Sequence, residues 1–444
     1  MRRISLILLL AAGAAISVIA QPARHVILIS IDAMRPEFYK DPSWPTPNLQ
    51  QLMKDGVYAD HVRPVFPSIT YPDHATMLTG ALPVHHGIFF NAPFEPVTPS
   101  GKWNWQTSLI QAPTLWDALH KAGRRSAAVQ WPVSVGGPID YCIPEIWDPA
   151  HPEDRISESR KYATRGLVEE IEDSATGKLN GENMNEEYLS LDENAGRMAA
   201  YIIRRYKPDF LALHFACVDG QQHAGGREGH AVRLAVASVD RAIGDVLEAI
   251  ERAGIKDSTA VLVVGDHGFV NIHSALYPNV WLAQKGLLGK GAHWKAKFQS
   301  ASGAAFLYLQ DPNDRATLAA VRQLLEDLPP GMKRLFRTLE KPELEKAGAD
   351  PHAALALTPL PGIAIGNASE GEALRPAHGG THGYYPDFPE IMTGLVGAGA
   401  GLNKGVEIPE MGMQDIAPII AKLLGLSFEA PDGVLLPGVV KAVK

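Results

Sequence analysis

The chain of 444 residues is 46% hydrophobic and 20% charged, and its formal net charge is -8. This composition is ordinary for a folded globular protein. The excess of acidic side chains excludes a surface built to coat nucleic acid, which needs clustered Lys and Arg. An acidic protein can still bind small anions where metal ions supply the local positive charge.

The first 20 residues have the features of a secretory signal peptide. Two arginines follow Met1, residues 4–19 are apolar or small except for two serines, and Ala20 ends a small-residue cleavage site. An uncleaved anchor is the alternative, but the run is short for a membrane span of about 20 residues. We therefore expect residues 1–20 to be removed, leaving a secreted or periplasmic chain without a membrane span.

Short apolar runs alternate with amphipathic stretches along the first 271 residues. This pattern is typical of an α/β fold, with a mostly parallel central sheet covered by helices on both faces. The predicted strands are 25–31, 126–130, 210–215 and 259–264, and the predicted helices are 46–55, 73–79, 113–122, 193–206 and 230–253.

The pattern of apolar runs and the composition change between residues 272 and 376. A strand at 304–309 and a helix at 314–328 precede a stretch rich in Pro and Ala. We predict that 272–376 is a smaller α/β insertion, joined at both ends to a core of 21–271 and 377–444. An apolar stretch at 392–399 and a helix at 413–424 close the core.

Each of three predicted strands leads into an acidic side chain: Asp32 after the first strand, Asp219 after the strand that ends at 215, and Asp266 after the strand that ends at 264. A single Asp in such a position is usually a cap or turn residue. Because sites in α/β sheets form at the carboxyl ends of strands, however, we expect the three to converge.

Imidazole side chains accompany these carboxylates. His223 stands four residues after the second carboxylate, His267 directly follows the third between two glycines, and a Gly-rich loop carries both His378 and His382. A mixed set of carboxylates and imidazoles suits zinc or a similar first-row ion. The pattern therefore predicts a metal centre.

A nucleophile candidate lies in the segment 67–74, where a loop leads into a helix. Helix N-termini favour phosphate through free amide groups and the helix dipole. A hydroxyl at this place can attack phosphorus when a metal ion lowers its pKa. The residues alone leave Ser68 and Thr70 as alternatives, with helix capping as the structural explanation for either.

The motifs together resemble the nucleotide pyrophosphatase/phosphodiesterase family of the alkaline phosphatase superfamily. The resemblance extends from about residue 25 to 430 and implies an alkaline-phosphatase-like fold. It is carried by Thr46-Pro-Asn-Leu49, by Phe66-Pro-Ser-Ile-Thr70-Tyr-Pro-Asp-His74, by Thr79-Gly80, by His86-Gly87-Ile88 with Asn91, by Gly265-Asp-His-Gly268 and by Thr381-His-Gly-Tyr384.

The resemblance implies a role for each matching residue. Thr70 matches the nucleophile, which forms a phospho-threonine intermediate, and Asn91 matches the side chain that binds a non-bridging phosphoryl oxygen. Tyr71 offers its amide as a further donor and its ring as a stacking surface, with packing as the alternative for the ring. Two zinc ions, or other divalent first-row metals, are implied, one held by Asp219, His223 and His382 and the other by Asp32, Asp266, His267 and the Thr70 oxygen.

The implied substrate is a small-molecule phosphate ester, nucleotide-like or another diester. A phosphate monoesterase of the same superfamily is the nearest alternative. It needs a Lys or Arg near the nucleophile, and none lies between Thr70 and Asn91, although Arg124, Arg125 or the insertion could supply one. The segment Gln130-Trp131-Pro132 resembles the sequence that diesterases have at this place, and it favours a phosphodiesterase or nucleotide pyrophosphatase.

Other activities fit the sequence less well. A sulfatase needs Cys-x-Pro-x-Arg, and Cys142-Ile-Pro-Glu-Ile146 lacks the arginine. A mutase or phosphonate hydrolase could use the same metals. A catalytically inactive, secreted metal-binding protein would be indicated by the loss of Thr70 or of a ligand, and all are present.

Two further features of the sequence concern the substrate and the thiols. The loops at 131–180 and the insertion are expected to select the substrate, and candidate wall residues are Trp131, Tyr141, Trp147 and Tyr162. Two cysteines in a chain of this length make no disulfide framework. Cys217, at the end of an apolar run, is expected to be a buried free thiol.

Asp73 stands where the family usually has Asn, and we expect it to cap its helix.

Overall fold

The computed structural model describes residues 23–442. The predicted signal peptide, residues 1–20, lies outside them. Across residues 23–442 no helix combines the length and apolar character that crossing a bilayer requires.

The strands, numbered in chain order, are β1 (His25–Ile31), β2 (Val57–Arg63), β3 (Ser126–Val129), β4 (Tyr141–Ile143), β5 (Phe210–Phe215), β6 (Thr259–Gly265), β7 (Val270–Asn271), β8 (Ser274–Leu276), β9 (Ala296–Ser300), β10 (Ala305–Leu309), β11 (Phe336–Leu339), β12 (Leu355–Pro359), β13 (Ile363–Ile365), β14 (Leu374–Pro376), β15 (Gly380–Thr381), β16 (Thr393–Gly399), β17 (Val406–Ile408) and β18 (Met411–Gly412).

The α-helices are α1 (Glu37–Lys40), α2 (Pro47–Asp55), α3 (Thr70–Thr79), α4 (Pro83–His86), α5 (Leu115–Lys121), α6 (Ser157–Tyr162), α7 (Leu167–Ile171), α8 (Ser190–Tyr206), α9 (Cys217–Gly225), α10 (His230–Arg252), α11 (Pro278–Gln284), α12 (Arg315–Glu326), α13 (Pro330–Lys333), α14 (Lys341–Lys346) and α15 (Ile416–Leu424).

A central sheet of nine strands organises the molecule. Its order is β17-β2-β16-β6-β1-β5-β3-β4, and β18 also pairs with β2. Only β16 runs antiparallel to its neighbours among these described strands. The predicted fold class, a mostly parallel α/β sheet, is confirmed.

Both faces of the sheet are covered, which explains why its central strands are apolar at most positions. In β1, Ile27 and Ile29 pack on one face with α8 and α10. Val26 and Leu28 pack on the other face with α3, α5 and α15. The alternation follows from the two-residue period of a strand.

Helix α3 begins at Thr70, one turn before the predicted start at Asp73. Pro72 is accommodated because the first turn of a helix leaves its N–H groups without intrahelical partners. Asp73 consequently lies inside the helix, and its Oδ1 accepts from the N–H of Val65 at 2.8 Å. The prediction that Asp73 caps this helix was wrong.

Residues 272–376 form small sheets of their own, the largest with the order β11-β12-β10-β9. Their apolar core is drawn from residues 276–374. Phe306 of this region packs against Phe66 and Phe90, with ring centroids 4.9 and 5.3 Å away. The boundaries 272 and 376 stay a prediction, and β7 and β15 pair with each other just outside them.

Candidate functional site

The carboxyl ends of three adjacent strands bring the predicted acidic residues together. β1 lies between β5 and β6, and Ile31 is in register with both Phe215 and Gly265. The chain therefore leaves all three strands at one level. Asp32 and Asp266 follow their strands directly. Asp219 stands in the first turn of α9.

One group of candidate ligands consists of Asp219, His223 and His382. The first two face each other because they are four residues apart on α9, with His223 Nε2 3.2 Å from Asp219 Oδ2. His382 follows β15 and places its Nε2 3.6 Å from Asp219 Oδ1. His378, the alternative in the same loop, is exposed.

The second group centres on His267. Its Nε2 lies 3.4 Å from Asp32 Oδ1 and 3.3 Å from Asp266 Oδ2. Asp219 also offers a ligand atom within 4.8 Å of those of Asp32 and His267. The two groups are therefore contiguous, with Asp219 between them.

Backbone carbonyls orient the three imidazoles. The Nδ1 atoms of His223, His267 and His382 lie 3.0, 3.2 and 3.1 Å from the carbonyl oxygens of Gly380, Gly268 and Ser68, respectively. A carbonyl can only accept, so each Nδ1 carries the proton and each Nε2 presents its lone pair to the carboxylates. This second contact is typical of metal-binding histidines.

Electrostatics at the cluster favour a bound cation. Asp32 Oδ1, Asp219 Oδ1, Asp266 Oδ2 and His267 Nε2 are buried and make no hydrogen bond within residues 23–442. Burial, followed by the charges of Asp266 and Asp219, raises the pKa of Asp32 well above its usual range. Uncompensated carboxylates are costly in such a place. The donor set therefore fits divalent first-row cations.

Two of the three imidazoles are in the protonation state that metal binding requires, whereas the Asp219 carboxylate outweighs burial and raises the pKa of His223. Burial lowers the pKa of His267 to about 4. Burial, assisted by the neighbouring His267, lowers the pKa of His382 to about 3. Both rings are therefore neutral at pH 7, with a free lone pair.

The two glycines that flank Asp266 and His267 allow the surrounding chain to approach closely. A Cβ at Gly265 would overlap the side chain of Thr393, and one at Gly268 would overlap the carbonyl oxygen of Glu390. The Gly-Asp-His-Gly motif thus reflects close packing around the ligands as well as metal chemistry.

Thr70 and Asn91 line a cavity of about 730 Å³, and four of the candidate ligands line it too: Asp32, Asp219, His223 and His382. The N–H of Tyr71 donates to Asn91 Oδ1 at 2.9 Å. A backbone N–H can only donate, so this bond holds the amide oxygen of Asn91 toward Tyr71. The Nδ2 group of Asn91 is left as a donor. The arrangement is suited to binding a phosphoryl oxygen.

Tyr71 does not line the cavity, and the substrate-binding role predicted for it stays a prediction. Its amide is engaged with Asn91, and its fully buried ring packs edge-on against Trp103. Pro72 has no N–H, and that of Asp73 donates to Ile69. The start of α3 therefore offers its dipole rather than free amides from these three residues.

The predicted wall residues also lie elsewhere. Trp131 and Trp147 are buried, Tyr141 stacks on Tyr206, and Tyr162 is exposed. None of the four lines the cavity. Described residues that do line it, besides the predicted site, include Phe90, Trp103, Glu145, Arg155, Glu186 and His214.

Sequence reasoning missed a buried pair that supports Asp32. His214, next to the carboxyl end of apolar β5, places Nε2 3.3 Å from Asp32 Oδ2 and Nδ1 3.0 Å from Glu145 Oε2. Glu145 Oε1 also accepts from the hydroxyl of Tyr71 at 2.8 Å. A histidine inside an apolar strand beside the Asp32 strand was the available signal.

Both cysteines, Cys142 and Cys217, are buried free thiols. The expectation for Cys217 is confirmed.

Sequence comparisons identify related proteins. Ectonucleotide pyrophosphatase/phosphodiesterase family member 7 of Mus musculus is 22% identical over 438 residues, which cover 95% of this chain and 87% of that protein. A bis(5'-adenosyl)-triphosphatase of Mus musculus is 26% identical over 256 residues, 55% of this chain and 47% of that protein. An uncharacterized pyrophosphatase/phosphodiesterase of Schizosaccharomyces pombe is 27% identical over 250 residues, 55% of this chain and 44% of that protein. The chain spans less than half the length of the last two relatives.

Solved structures share the fold. Human ectonucleotide pyrophosphatase/phosphodiesterase 5 aligns with a TM-score of 0.66 at 17% identity, covering 92% of this chain and 97% of that chain. An inactive murine counterpart, solved in complex with AMP, gives the same TM-score over 94% and 97%. The model of the family described as "Type I phosphodiesterase / nucleotide pyrophosphatase" matches residues 26–385 of this chain. This chain therefore belongs to the type I phosphodiesterase / nucleotide pyrophosphatase family, within the alkaline phosphatase superfamily.

Proposed function

We propose that this chain is an exported two-zinc phosphodiesterase or nucleotide pyrophosphatase in which Thr70 is the nucleophile. One observation carries the proposal: two contiguous Asp and His groups border a cavity that a hydroxyl and an amide donor also line. Family membership supports phosphate esters as the substrate class.

The ligand assignment follows the two groups. Asp219, His223 and His382 would hold one zinc ion, and Asp32, Asp266 and His267 the other. When bound, such ions supply Lewis acidity, which acidifies a hydroxyl and stabilises the charge of the leaving oxygen. Carboxylate and imidazole ligands support zinc among the first-row metals.

The chain's own residues supply the nucleophile and the orientation of the phosphoryl group. Thr70 is the first residue of α3, where the positive end of the helix dipole favours a phosphate. Asn91 Nδ2 is held ready to donate to a non-bridging oxygen, because Tyr71 fixes the other end of its amide. A donor held in place before the reaction stabilises developing charge without reorganisation.

The proposed reaction has two displacements. The Thr70 hydroxyl gives its proton to solvent, Oγ bonds to phosphorus, and the ester bond to the leaving group breaks. Water then attacks the phospho-threonine, the bond between Oγ and phosphorus breaks, and Thr70 regains a proton. Two steps at one phosphorus atom replace one direct attack by water.

The test compares bis-p-nitrophenyl phosphate with p-nitrophenyl phosphate, with zinc added and with a chelator. We expect zinc-dependent preference for the diester. Thr70→Ala should lower kcat by about 10⁴-fold or more, as removal of a nucleophile does in hydrolases. Thr70→Ser is the matched control, since it keeps a hydroxyl and should retain measurable turnover.

Either of two results would contradict the proposal. Thr70→Ala with activity close to that of the unmodified chain would exclude this nucleophile. A preference for p-nitrophenyl phosphate would keep the proposed chemistry but assign the chain to the monoesterase alternative.

Export can be tested separately. If residues 1–20 are a cleaved signal peptide, the protein recovered from the periplasm of a bacterial host should begin at Gln21 by intact-mass analysis. Full-length protein in the cytoplasmic or membrane fraction would contradict this part of the proposal.

A further inference from the structure

A single arginine projects into the catalytic cavity. Arg155 is the only Lys or Arg that contributes to the cavity wall in the part of the chain described by the structure. Its side chain is 12% exposed. The mechanism above does not use this charge.

The backbone and the guanidinium of Arg155 are both held in place. Its N–H donates to Met184 O at 3.0 Å, and its carbonyl accepts from Ser159 Oγ at 3.0 Å. The guanidinium lies over the ring of Trp147, 3.7 Å from the centroid. Trp147 is itself packed edge-on against Trp103 and Trp105. A cation with this support is preorganised rather than mobile.

The guanidinium has unused donor capacity. It forms an ion pair with Glu186, but its Nε is buried and finds no hydrogen-bond partner in residues 23–442. A guanidinium has five N–H donors and is suited to bidentate binding of phosphate. The ion pair with Glu186 engages Nη2 alone, so the other terminal nitrogen is left to bind an additional anion.

The acidic groups near Arg155 differ in their availability. Glu145 is occupied on both oxygens, by the hydroxyl of Tyr71 and by His214. Glu186 also lines the cavity and is 38% exposed, so it can rotate toward solvent. An incoming anion therefore competes with Glu186 for the guanidinium, in a cavity wall that also carries Glu187 and Asp192.

The other basic candidates are engaged elsewhere. Arg124 pairs with Asp209 at the amino end of the sheet, opposite the cavity. Lys297 of the insertion donates to the carbonyl of Pro96 at 2.7 Å. Neither of them lines the cavity.

We propose that Arg155 forms an anion subsite in the catalytic cavity, so that a second negative charge on the substrate, besides that of a simple diester, contributes to binding. The inference rests on the proposed function and narrows its substrate class. Two sources share this chemistry: the extra charge of a terminal phosphoryl group, as in a monoester, and a neighbouring phosphate, as in a nucleoside polyphosphate.

The test measures kcat/KM of Arg155→Gln on three esters. Bis-p-nitrophenyl phosphate has one charge, p-nitrophenyl phosphate has the extra terminal charge, and ATP has neighbouring phosphates. We expect at least a tenfold loss on p-nitrophenyl phosphate, on ATP or on both, and less than a twofold change on the singly charged diester. The ester that loses most identifies the source of the second charge.

Two further variants separate the subsite from a general structural effect. Arg160→Gln is the matched control, because Arg160 lies in the same segment but pairs with Glu172 outside the cavity wall. Arg160→Gln should leave kcat/KM unchanged on all three esters. Glu186→Gln removes the competing carboxylate and should raise kcat/KM on the multiply charged ester several-fold, which a loss of stability cannot do.

Equal losses on all three esters, or no gain from Glu186→Gln, would overturn the inference. If the unmodified chain cleaved none of the esters, the proposed function would fail instead. AMP binding by calorimetry would then still test the subsite, since Arg155→Gln should weaken AMP at least tenfold without changing affinity for adenosine. Equal affinity of both proteins for AMP would again overturn it.

Discussion

The two ends of the central strands treat their polar side chains in opposite ways. At the amino end, Asp209 accepts from Arg124 and from the N–H of Arg125, and His25 Nδ1 contacts a carbonyl at 2.8 Å. At the carboxyl end, the three neighbouring strands lead to Asp32, Asp219 and Asp266. Each of these has one buried carboxylate oxygen without a hydrogen-bond partner in the described residues.

The difference separates structural from functional polar groups. Most buried polar atoms in proteins are hydrogen-bonded, so a concentration of unpaired ones needs an explanation. The polar groups named at the amino end pair with one another, whereas those at the carboxyl end leave unpaired oxygens that are suited to bind a cation. Substitutions at the two ends should therefore affect different properties.

The largest effect is expected at Asp219, which lies between the two ligand groups. Asp219→Asn removes a carboxylate ligand of one proposed ion and a charge that lies close to the other. We expect kcat/KM to fall by about 10³-fold or more, since metal ions contribute several kcal/mol to such reactions. Metal content after dialysis, measured by mass spectrometry, should fall by at least one ion per chain. Retention of two ions would contradict the ligand assignment.

A smaller loss is expected at Asn91. Asn91→Ala removes the donor that Tyr71 orients, and a single oxyanion donor contributes about 10²- to 10³-fold in kcat. Because this donor acts mainly on the charge of the transition state, substrate binding should change little. KM should therefore rise less than kcat falls. Steady-state kinetics on the diester test this, and unchanged metal content is the control. A loss confined to KM would show ground-state binding instead.

A still smaller effect is expected at His214, which contacts Asp32 without reaching the reacting atoms. His214→Asn should weaken zinc affinity by about 10- to 100-fold, as loss of such supporting contacts does. Activity should recover at high zinc, which separates positioning from a direct catalytic role. Glu145→Gln, which keeps the shape of the partner, should have a weaker effect. Failure of zinc to restore activity would contradict the positioning role.

The smallest effect is expected at the amino end. Asp209→Asn should cost about 1 kcal/mol of unfolding free energy. For a domain of this size that is a decrease in Tm of roughly 2 °C. We expect kcat/KM and metal content to stay unchanged, as measured on the same preparation. A large loss of activity would show that the amino ends of the strands influence the site at their carboxyl ends. It would contradict the separation of structural from functional polar groups.

Several features of the fold could be predicted because they depend on local pattern. The boundaries of β1 and β5 agree with their mostly apolar runs, since a strand that is buried on both faces has few polar positions. β2 was missed because its sequence, Val57–Arg63, mixes apolar and charged side chains without a regular period. The start of α3 was placed too late because Pro72 resembles a boundary in sequence but is tolerated in a first turn.

The candidate ligands were predictable for a related reason. Strand ends and short motifs placed Asp32, Asp219 and Asp266 at one edge, and adjacency of β1, β5 and β6 then brought them within reach of each other. Their roles as ligands stay a prediction, as do those of Thr70 and Asn91. The choice of His382 over His378 relied on a motif and agrees with the burial of the first and the exposure of the second.

The sequence by itself determined the α/β class, the central strands and the edge of the sheet at which the polar residues gather. These depend on hydrophobic periodicity and on where each strand ends. Only the tertiary structure decided that Tyr71 faces away from the cavity, that His214 and Glu145 support Asp32, and that Arg155 enters the cavity. Those positions depend on contacts between distant segments, and loops have no periodicity from which such contacts could be predicted.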